Sequence, residues 1–353
     1  DIGLNSKDEA KELVALGEAM AQKYDVVITN PPYMGSSGMN AKVSEYVKKN
    51  YRDSKSDLFA VFVEKGNEMT KSYGYSCMVT MQSWMFLSSF EKMREVIVNT
   101  KVISNLMHME NMVMGIAFGT AVTNIRNCNI KKFKGTYNHI TMKDIDNEGL
   151  PFEFPVKINR FAQTSTENFS KIPGSPIAYW VSEKFIKTFK AQRLKNISRA
   201  RRGLETGNNE VYIKYWYEVN LNDIEFDCKN IIKFNKKWLP HNKGGEYRNW
   251  YGNIDLIVWF KNDGEDIRKT GNINGYDVFL KEGITWTALT SYKNSYRFSP
   301  TGHTFDSNKG PLIVDNGDNI LYYLLAFFIS PIAQSINKIL NPTLSLQNGD
   351  MDK

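Results

Sequence analysis

At 353 residues the chain is long enough for about two domains of roughly 150 residues each. Its 42% hydrophobic and 13% aromatic content excludes a disordered tail. The 45 Lys and Arg against 38 Asp and Glu leave a net charge of +7, a weak preference for an anionic partner. Three cysteines, Cys77, Cys128 and Cys228, are odd in number and far apart. That argues against a disulfide framework or a cysteine-based metal site, and fits a reducing cytoplasm. The longest apolar run, Ile320 to Ala333, spans 14 residues and contains Ser330 and Pro331. A membrane-spanning helix needs about 20, so no membrane partner is expected. No secretory signal is read at the start. The chain opens in polar sequence at Asp1 without an initiator Met, which reads as a piece of something longer.

Residues 7–23 carry Leu13, Leu16 and Met20 at helical spacing. Residues 25–29, Asp-Val-Val-Ile-Thr, form a β-branched run suited to a strand buried on both faces of a parallel sheet. Asn30-Pro31-Pro32-Tyr33 ends it, because two prolines stop strand and helix alike. A polar, Gly-rich loop is expected to about Asp53, then a helix over 54–72, where an N-cap explains Asp57 as a structural residue. A strand at 74–81, a helix at 88–99 and strands at 102–107 and 120–126 come after it. Alternating strands and helices indicate a doubly wound α/β sheet. Pro151, Pro155, Pro173 and Pro176 punctuate an expected linker over 151–175 with little regular structure. A helix over 177–189 and short aromatic β-like runs come next, with helix again at 318–339.

Asn30-Pro31-Pro32-Tyr33 lies at the carboxyl end of the apolar strand, where open α/β sheets bind ligands. The Asn30 amide oxygen and the Pro31 carbonyl, held extended before Pro32, could together accept both hydrogens of an exocyclic amine. Tyr33 offers a flat face for a base. Such a site concentrates the nitrogen lone pair for attack on a methyl donor, and the proton can leave afterwards. The positive charge is local: residues 184–243 hold 14 Lys and Arg against 6 Asp and Glu. Arg199, Arg201 and Arg202 sit in this stretch, just before Thr206-Gly207-Asn208-Asn209, a turn able to fix a bend or offer N–H groups to a phosphate. The four histidines are scattered without metal-ligand spacing, so no metal is expected. No nuclease-like carboxylate–lysine cluster stands out.

The tetrapeptide resembles the motif of the amino-methylating DNA methyltransferases. The runs 30–40 and 51–64, with 171–180, 203–212, 241–253, 283–291 and 341–350, resemble the adenine-specific methyltransferases of bacterial phage-defence systems, the BREX or PglX type. Related Type IIG restriction–modification enzymes share the Thr-Gly-Asn-Asn-like element. The resemblance implies a Rossmann-like methyltransferase domain, a mixed α/β target-recognition domain, S-adenosylmethionine as cofactor, double-stranded DNA as partner, and other defence-system proteins. It implies Asn30, Pro31, Pro32 and Tyr33 as catalytic residues, with Phe118 as a second wall for the flipped base. The local charge and the turn make Arg199, Arg201, Arg202, Thr206, Asn208 and Asn209 the candidate DNA contacts. Adenine over cytosine rests on the resemblance alone. Only 29 residues precede Asn30, and none forms the Gly-rich cofactor loop of this family. The cofactor motif and the first three strands are therefore expected upstream of residue 1. Residues 1–150 then form the C-terminal part of a catalytic domain, inactive alone, and 176–353 a DNA-binding domain. A non-catalytic DNA-binding module, or a methyltransferase acting on RNA or protein glutamine, are the alternatives.

Overall fold

A computed structural model describes residues 2–155, 161–290, 293–308, 310–317, 319–342 and 345–352. The chain divides into two units, 1–188 and 189–353. In the first, helix α1 (Ile2–Ala21) leads into strand β1 (Tyr24–Thr29). Then come α2 (Ala41–Asn50), α3 (Leu58–Met69), β2 (Thr70–Met81), α4 (Glu91–Thr100), β3 (Val102–Met109), β4 (Thr120–Arg126), β5 (Lys134–Ile140) and β6 (Phe161–Ser165). The six strands form one sheet in the order β1-β2-β4-β3-β5-β6. The β1–β2 and β3–β5 pairs are parallel, while β4 runs antiparallel to both neighbours and β6 to β5. The sheet is therefore mixed. The carboxyl ends of β1, β2, β3 and β5 and the amino end of β4 share one edge, where the site lies.

Helices α3 and α4 cover one face of this sheet. Phe59, Ala60 and Val63 of α3 and Met93, Ile97 and Val98 of α4 pack on Met78, Ile103, Leu106, Ala121, Ile125 and Tyr137. Val27 of β1 joins this core, but Val26 and Ile28 alternate to the other face and stay 54% and 77% exposed. The expectation of a strand buried on both faces is corrected accordingly. The outer edge of β1 has no partner strand among the described residues. Leu13, Val14, Leu16 and Met20 of α1 are likewise exposed.

Three further corrections have local causes. The expected loop after Tyr33 contains α2, which Asn40 caps by accepting from Val43 N at 3.0 Å. The expected linker over 151–175, of which 156–160 lie outside the described residues, instead adds β6 to the sheet and buries Phe169 and Ile172. Arg94, fully buried, stitches this stretch down. It donates to Trp84 O (2.8 Å) and Leu87 O (2.6 Å) in the turn after β2, and to Gly174 O through Nη2 (2.7 Å). The expected helix over 177–189 shrinks to α5 (Glu183–Ile186) and a short 3-10 turn at Lys187–Lys190. Ile177 and Tyr179 are spent on the core, with Ile177 N bonded to Met85 O at 2.9 Å.

The second unit contains β7 (Ser198–Arg201), β8 (Leu204–Glu205), α6 (Asn209–Tyr212), β9 (Ile213–Tyr215), β10 (Trp238–Asn242), β11 (Leu256–Trp259), α7 (Lys261–Thr270) and β12 (Asn272–Ile273). It continues with β13 (Gly283–Trp286), β14 (Tyr296–Ser299), β15 (Thr304–Phe305), β16 (Leu312–Asp315), α8 (Leu321–Ile329), α9 (Pro331–Leu340) and α10 (Asn348–Met351). Two four-stranded sheets, β14-β13-β16-β7 and β15-β10-β11-β9, and the pair β12-β8 build it. One face of the first sheet packs Ile284, Trp286, Tyr296 and Ile313 against Leu324, Leu325 and Phe328 of α8. Leu312 and Val314 enter a second core with Leu239, Val258 and Ile267. The single helix expected over 318–339, whose Asp318 lies outside the described residues, is two helices bent by 75° at Ser330-Pro331. The proline has no N–H to continue α8 and instead opens α9, capped by Ser330. No single helix is long and apolar enough to cross a membrane. Of the sequence runs singled out, Ser291, Thr343 and Leu344 lie outside the described residues.

Candidate active site

Thr29 is the last residue of β1 paired with β2, opposite Met78. Pro31 and Pro32 then turn the chain out of the sheet, Pro31 buried and Asn30 exposed. Asp57 secures the loop beyond them. One carboxylate oxygen caps α3 through Phe59 N (3.2 Å) and also accepts from Met34 N (3.0 Å), while Leu58 N donates to Met34 O (2.9 Å). The structural role expected for Asp57 thus includes fixing the loop that carries Tyr33.

The Tyr33 hydroxyl lies 3.1 Å from Asn30 Oδ1 and 3.2 Å from Val79 O, the carbonyl of the adjoining strand. Partial burial raises the phenol above its ordinary value, so it stays protonated and donates. The bond to Asn30 orients the amide oxygen and leaves a lone pair for a second donor. The Tyr33 ring meets Phe59 edge-on at 6.1 Å and Phe118 at 5.6 Å and 72°. The structure therefore brings together Asn30, Pro31, Tyr33 and Phe118. Two rings sandwiching a base would stand roughly 7 Å apart, two layers of about 3.5 Å. A base entering between them must displace the Phe118 ring.

Sequence reasoning missed a second layer behind Phe118. Gln82 comes directly after β2, and its N–H donates to Gly119 O at 2.9 Å. A Cβ on Gly119 would sit 2.1 Å from Gln82 Nε2, so a larger residue there would push the Gln82 amide out of its present position. Gln82 Oε1 hydrogen-bonds His108 Nε2, and Tyr179 OH faces His108 Nδ1 at 3.1 Å. His108 stacks on His139 at 4.6 Å. Burial, with the neighbouring His139, holds His108 down to about 3. The neutral ring then donates to Gln82 and accepts from Tyr179. These partners are 26 and 71 residues apart in sequence, and no spacing signal joins them.

The basic stretch is partly neutralised. Arg201 Nη2 lies 2.7 Å and Arg199 Nη1 3.7 Å from Asp277 Oδ2, and the Arg201 bond holds Asp277 below the usual carboxylate range. Arg202 is exposed. Thr206 is buried, its hydroxyl on Asn209 Oδ1 (2.7 Å) and its carbonyl accepting from Thr270 Oγ1 (2.7 Å). Asn208 caps α6 through Val211 N (3.3 Å), and Gly207 takes φ +72° with Thr270 O against it. The turn is thus held by its own side chains and by Thr270 of α7, with Asn208 and Asn209 still open to solvent. These residues belong to the second unit and the Asn30–Tyr33 group to the first. Among the described residues no group of three His, Cys, Asp or Glu could hold a metal.

Residues 2–113 match the Eco57I restriction-modification methylase family. The chain is 37% identical over 370 residues to the adenine-specific methyltransferase PglX of Lacticaseibacillus casei (strain Zhang), covering 99% of this chain and 30% of that protein. It is 36% identical over 359 residues to BrxX, an adenine-specific methyltransferase of Escherichia coli O9:H4 (strain HS), covering 99% of this chain and 29% of that protein. The chain thus spans about three-tenths of the length of these relatives. Among solved structures, the Type IIL restriction-modification enzyme MmeI in complex with DNA matches with TM-score 0.52 at 11% identity, over 85% of this chain and 42% of that one. A nuclease-deletion mutant of the Type ISP enzyme LlaGI matches with TM-score 0.51 at 10% identity, over 92% and 40%. Those two likenesses establish the fold alone, a mixed α/β arrangement containing part of a Rossmann-like domain. By sequence, nearly the whole of this chain is similar to about three-tenths of the PglX and BrxX adenine-specific methyltransferases, and its first third to the Eco57I restriction-modification methylase family.

Proposed function

We propose that the protein carrying this chain methylates adenine N6 in double-stranded DNA, within a bacterial restriction–modification or phage-defence system. The observation that carries this reading is the Asn30–Tyr33 group at the carboxyl end of β1, with Tyr33 OH oriented on Asn30 Oδ1 and Phe118 5.6 Å from the Tyr33 ring. The target base would leave the duplex to reach it. Asn30 Oδ1 and the Pro31 carbonyl would accept its two amino hydrogens and draw the nitrogen toward tetrahedral geometry. Tyr33 and the displaced Phe118 would stack on the base.

S-adenosylmethionine is the methyl donor that the resemblance implies. The first unit does not by itself fit that group: among its described residues no strand lies beyond β1 to bring a Gly-rich loop and an acidic residue to the donor's side. On this reading the residues that bind the donor lie outside residues 1–353. In the second unit, Arg202 and the exposed Asn208 and Asn209 are the open contacts proposed for DNA, with Arg199 and Arg201 shared with Asp277. A cytoplasmic setting and other defence-system proteins as partners accompany this reading.

A methyl-transfer assay of the intact protein with DNA, RNA and protein substrates tests it. Label on adenine in DNA is the expected result. Label only on RNA or on a glutamine amide would transfer the same amine-holding site to another substrate and overturn the DNA assignment.

A further inference from the structure

The segment 243–253, between β10 and β11, has no part in the site above, yet its backbone is unusually constrained. Trp250 N donates to Tyr296 O (3.1 Å) and Phe298 N to Trp250 O (2.8 Å), so Trp250 bridges the open edge of β14 opposite Arg297. Asn249 Oδ1 accepts from Tyr296 N (3.2 Å), and Asn253 Nδ2 donates to Glu246 O (3.0 Å). To hold this path Trp250 takes φ +73° and Asn253 φ +55°. A left-handed conformation is costly for so bulky a residue as tryptophan, and such strain persists only where the surroundings enforce it.

The constrained loop holds its rings out in water: Tyr247 is 46%, Trp250 56% and Tyr251 54% exposed, with Arg248 exposed among them. Stability alone gives no reason to display three aromatic rings this way. Below the loop Arg297 is fully buried. Its Nη1 donates to Thr287 Oγ1 (3.1 Å) and Ser295 Oγ (2.9 Å), while Nε and Nη2 have no partner. Burial and the nearby Arg248 charge hold Arg297 down to about 10. Among the described residues neither arginine forms an ion pair, and the loop's own acid, Glu246, pairs with neither. The exposed Arg248 guanidinium, with no carboxylate partner and with the buried positive charge of Arg297 near it, is complementary to a phosphate next to a base stacked on the exposed rings.

We propose that loop 243–253 is a nucleic-acid contact in which Trp250 and Tyr251 stack on an unpaired base and Arg248 takes an adjoining phosphate. The proposal rests on the DNA reading above and adds to it the element that engages DNA where pairing is broken. A rigid ring loses little freedom on stacking, and stacking is indifferent to base identity because every base has a π face.

Fluorescence anisotropy with two labelled duplexes of one sequence, fully paired or carrying one unpaired base, tests this in the 353-residue protein at two salt concentrations. The unsubstituted protein should favour the duplex with the unpaired base. Trp250→Ala should reduce that preference by about 10-fold, within the range for loss of a base–aromatic stack, and Trp250→Phe should keep most of it. Arg248→Ala, which leaves the backbone pins intact, should weaken both duplexes alike and lower the salt slope by about one. Equal losses for Trp250→Phe and Trp250→Ala would overturn the proposal in favour of a purely structural ring. So would Trp250→Ala, Tyr251→Ala and Arg248→Ala proteins that bind both duplexes as the unsubstituted protein does; the surface would then serve a protein partner. Failure of the unsubstituted protein to bind either duplex would instead strike the DNA reading itself, and this proposal with it.

Discussion

Tyr33 does two things that can be separated. Its ring stacks, and its hydroxyl orients Asn30 Oδ1 at 3.1 Å. Tyr33→Phe removes only the second, at a cost of about 0.5–1.5 kcal/mol. Tyr33→Ala removes both and adds about 1–3 kcal/mol for the lost stack. Single-turnover methyl transfer by the intact protein should therefore fall several-fold for Phe and much further for Ala. Equal rates for Phe and the unsubstituted protein would show that the Asn30 contact has no part in the reaction. The tetrapeptide was legible because its four residues are contiguous and two prolines leave the chain few conformations. The Gln82–His108–Tyr179 chain was not, because its members meet only through the pairing of β2, β4 and β3 and the return of the chain at residue 179. The lone His108 reads in sequence as structural or exposed. The structure makes it structural, buried and neutral, and hydrogen-bonded to Gln82, whose own N–H bonds the carbonyl of Gly119 beside Phe118.

At the scale of elements, β-branched runs and alternation announced β1, β2, β3 and β4. Strand β5, Lys-Gly-Thr-Tyr-Asn-His-Ile, and strand β6, Phe-Ala-Gln-Thr-Ser, carry too few apolar residues to announce themselves. They form because neighbouring strands supply hydrogen-bond partners. Helix α2 was hidden because its sequence, Ala-Lys-Val-Ser-Glu-Tyr-Val-Lys-Lys-Asn, comes after a Gly- and Ser-rich loop and buries only Val47. Strand β7 bears on the proposed DNA surface. Asp277 ties down Arg199 and Arg201 in partly exposed ion pairs, each worth little in stability. Asp277→Ala should leave folding almost unchanged and free both guanidinium groups for phosphates. DNA affinity at low salt should rise a few-fold, and the salt dependence should steepen. Unaltered affinity and slope, measured by the same anisotropy titration, would remove Arg199 and Arg201 from the proposed contact surface.

At the scale of the whole molecule, β1 is an edge strand with Val26 and Ile28 exposed, and helix α1 before it exposes Leu13, Leu16 and Met20. Exposed edges and apolar faces of this kind ordinarily have a partner. The resemblance implies a cofactor loop and further strands outside residues 1–353, and an open β1 edge is what such strands would pair with. The 353-residue chain should therefore bind S-adenosylmethionine weakly or not at all by calorimetry. Micromolar affinity would put the donor site inside the described residues and contradict that placement. In the proposed function Asn30 holds the amino group that becomes methylated. Losing a hydrogen-bond acceptor aimed at a reacting centre costs roughly 3–4 kcal/mol, or 100- to 1,000-fold in rate, while phosphate contacts keep DNA bound. The most direct test is single-turnover transfer of a labelled methyl group to adenine in DNA by the intact protein, unsubstituted and as Asn30→Ala. Asn30→Ala should react roughly 100- to 1,000-fold more slowly with DNA affinity retained; transfer at the unsubstituted rate would show that Asn30 does not hold the amino group.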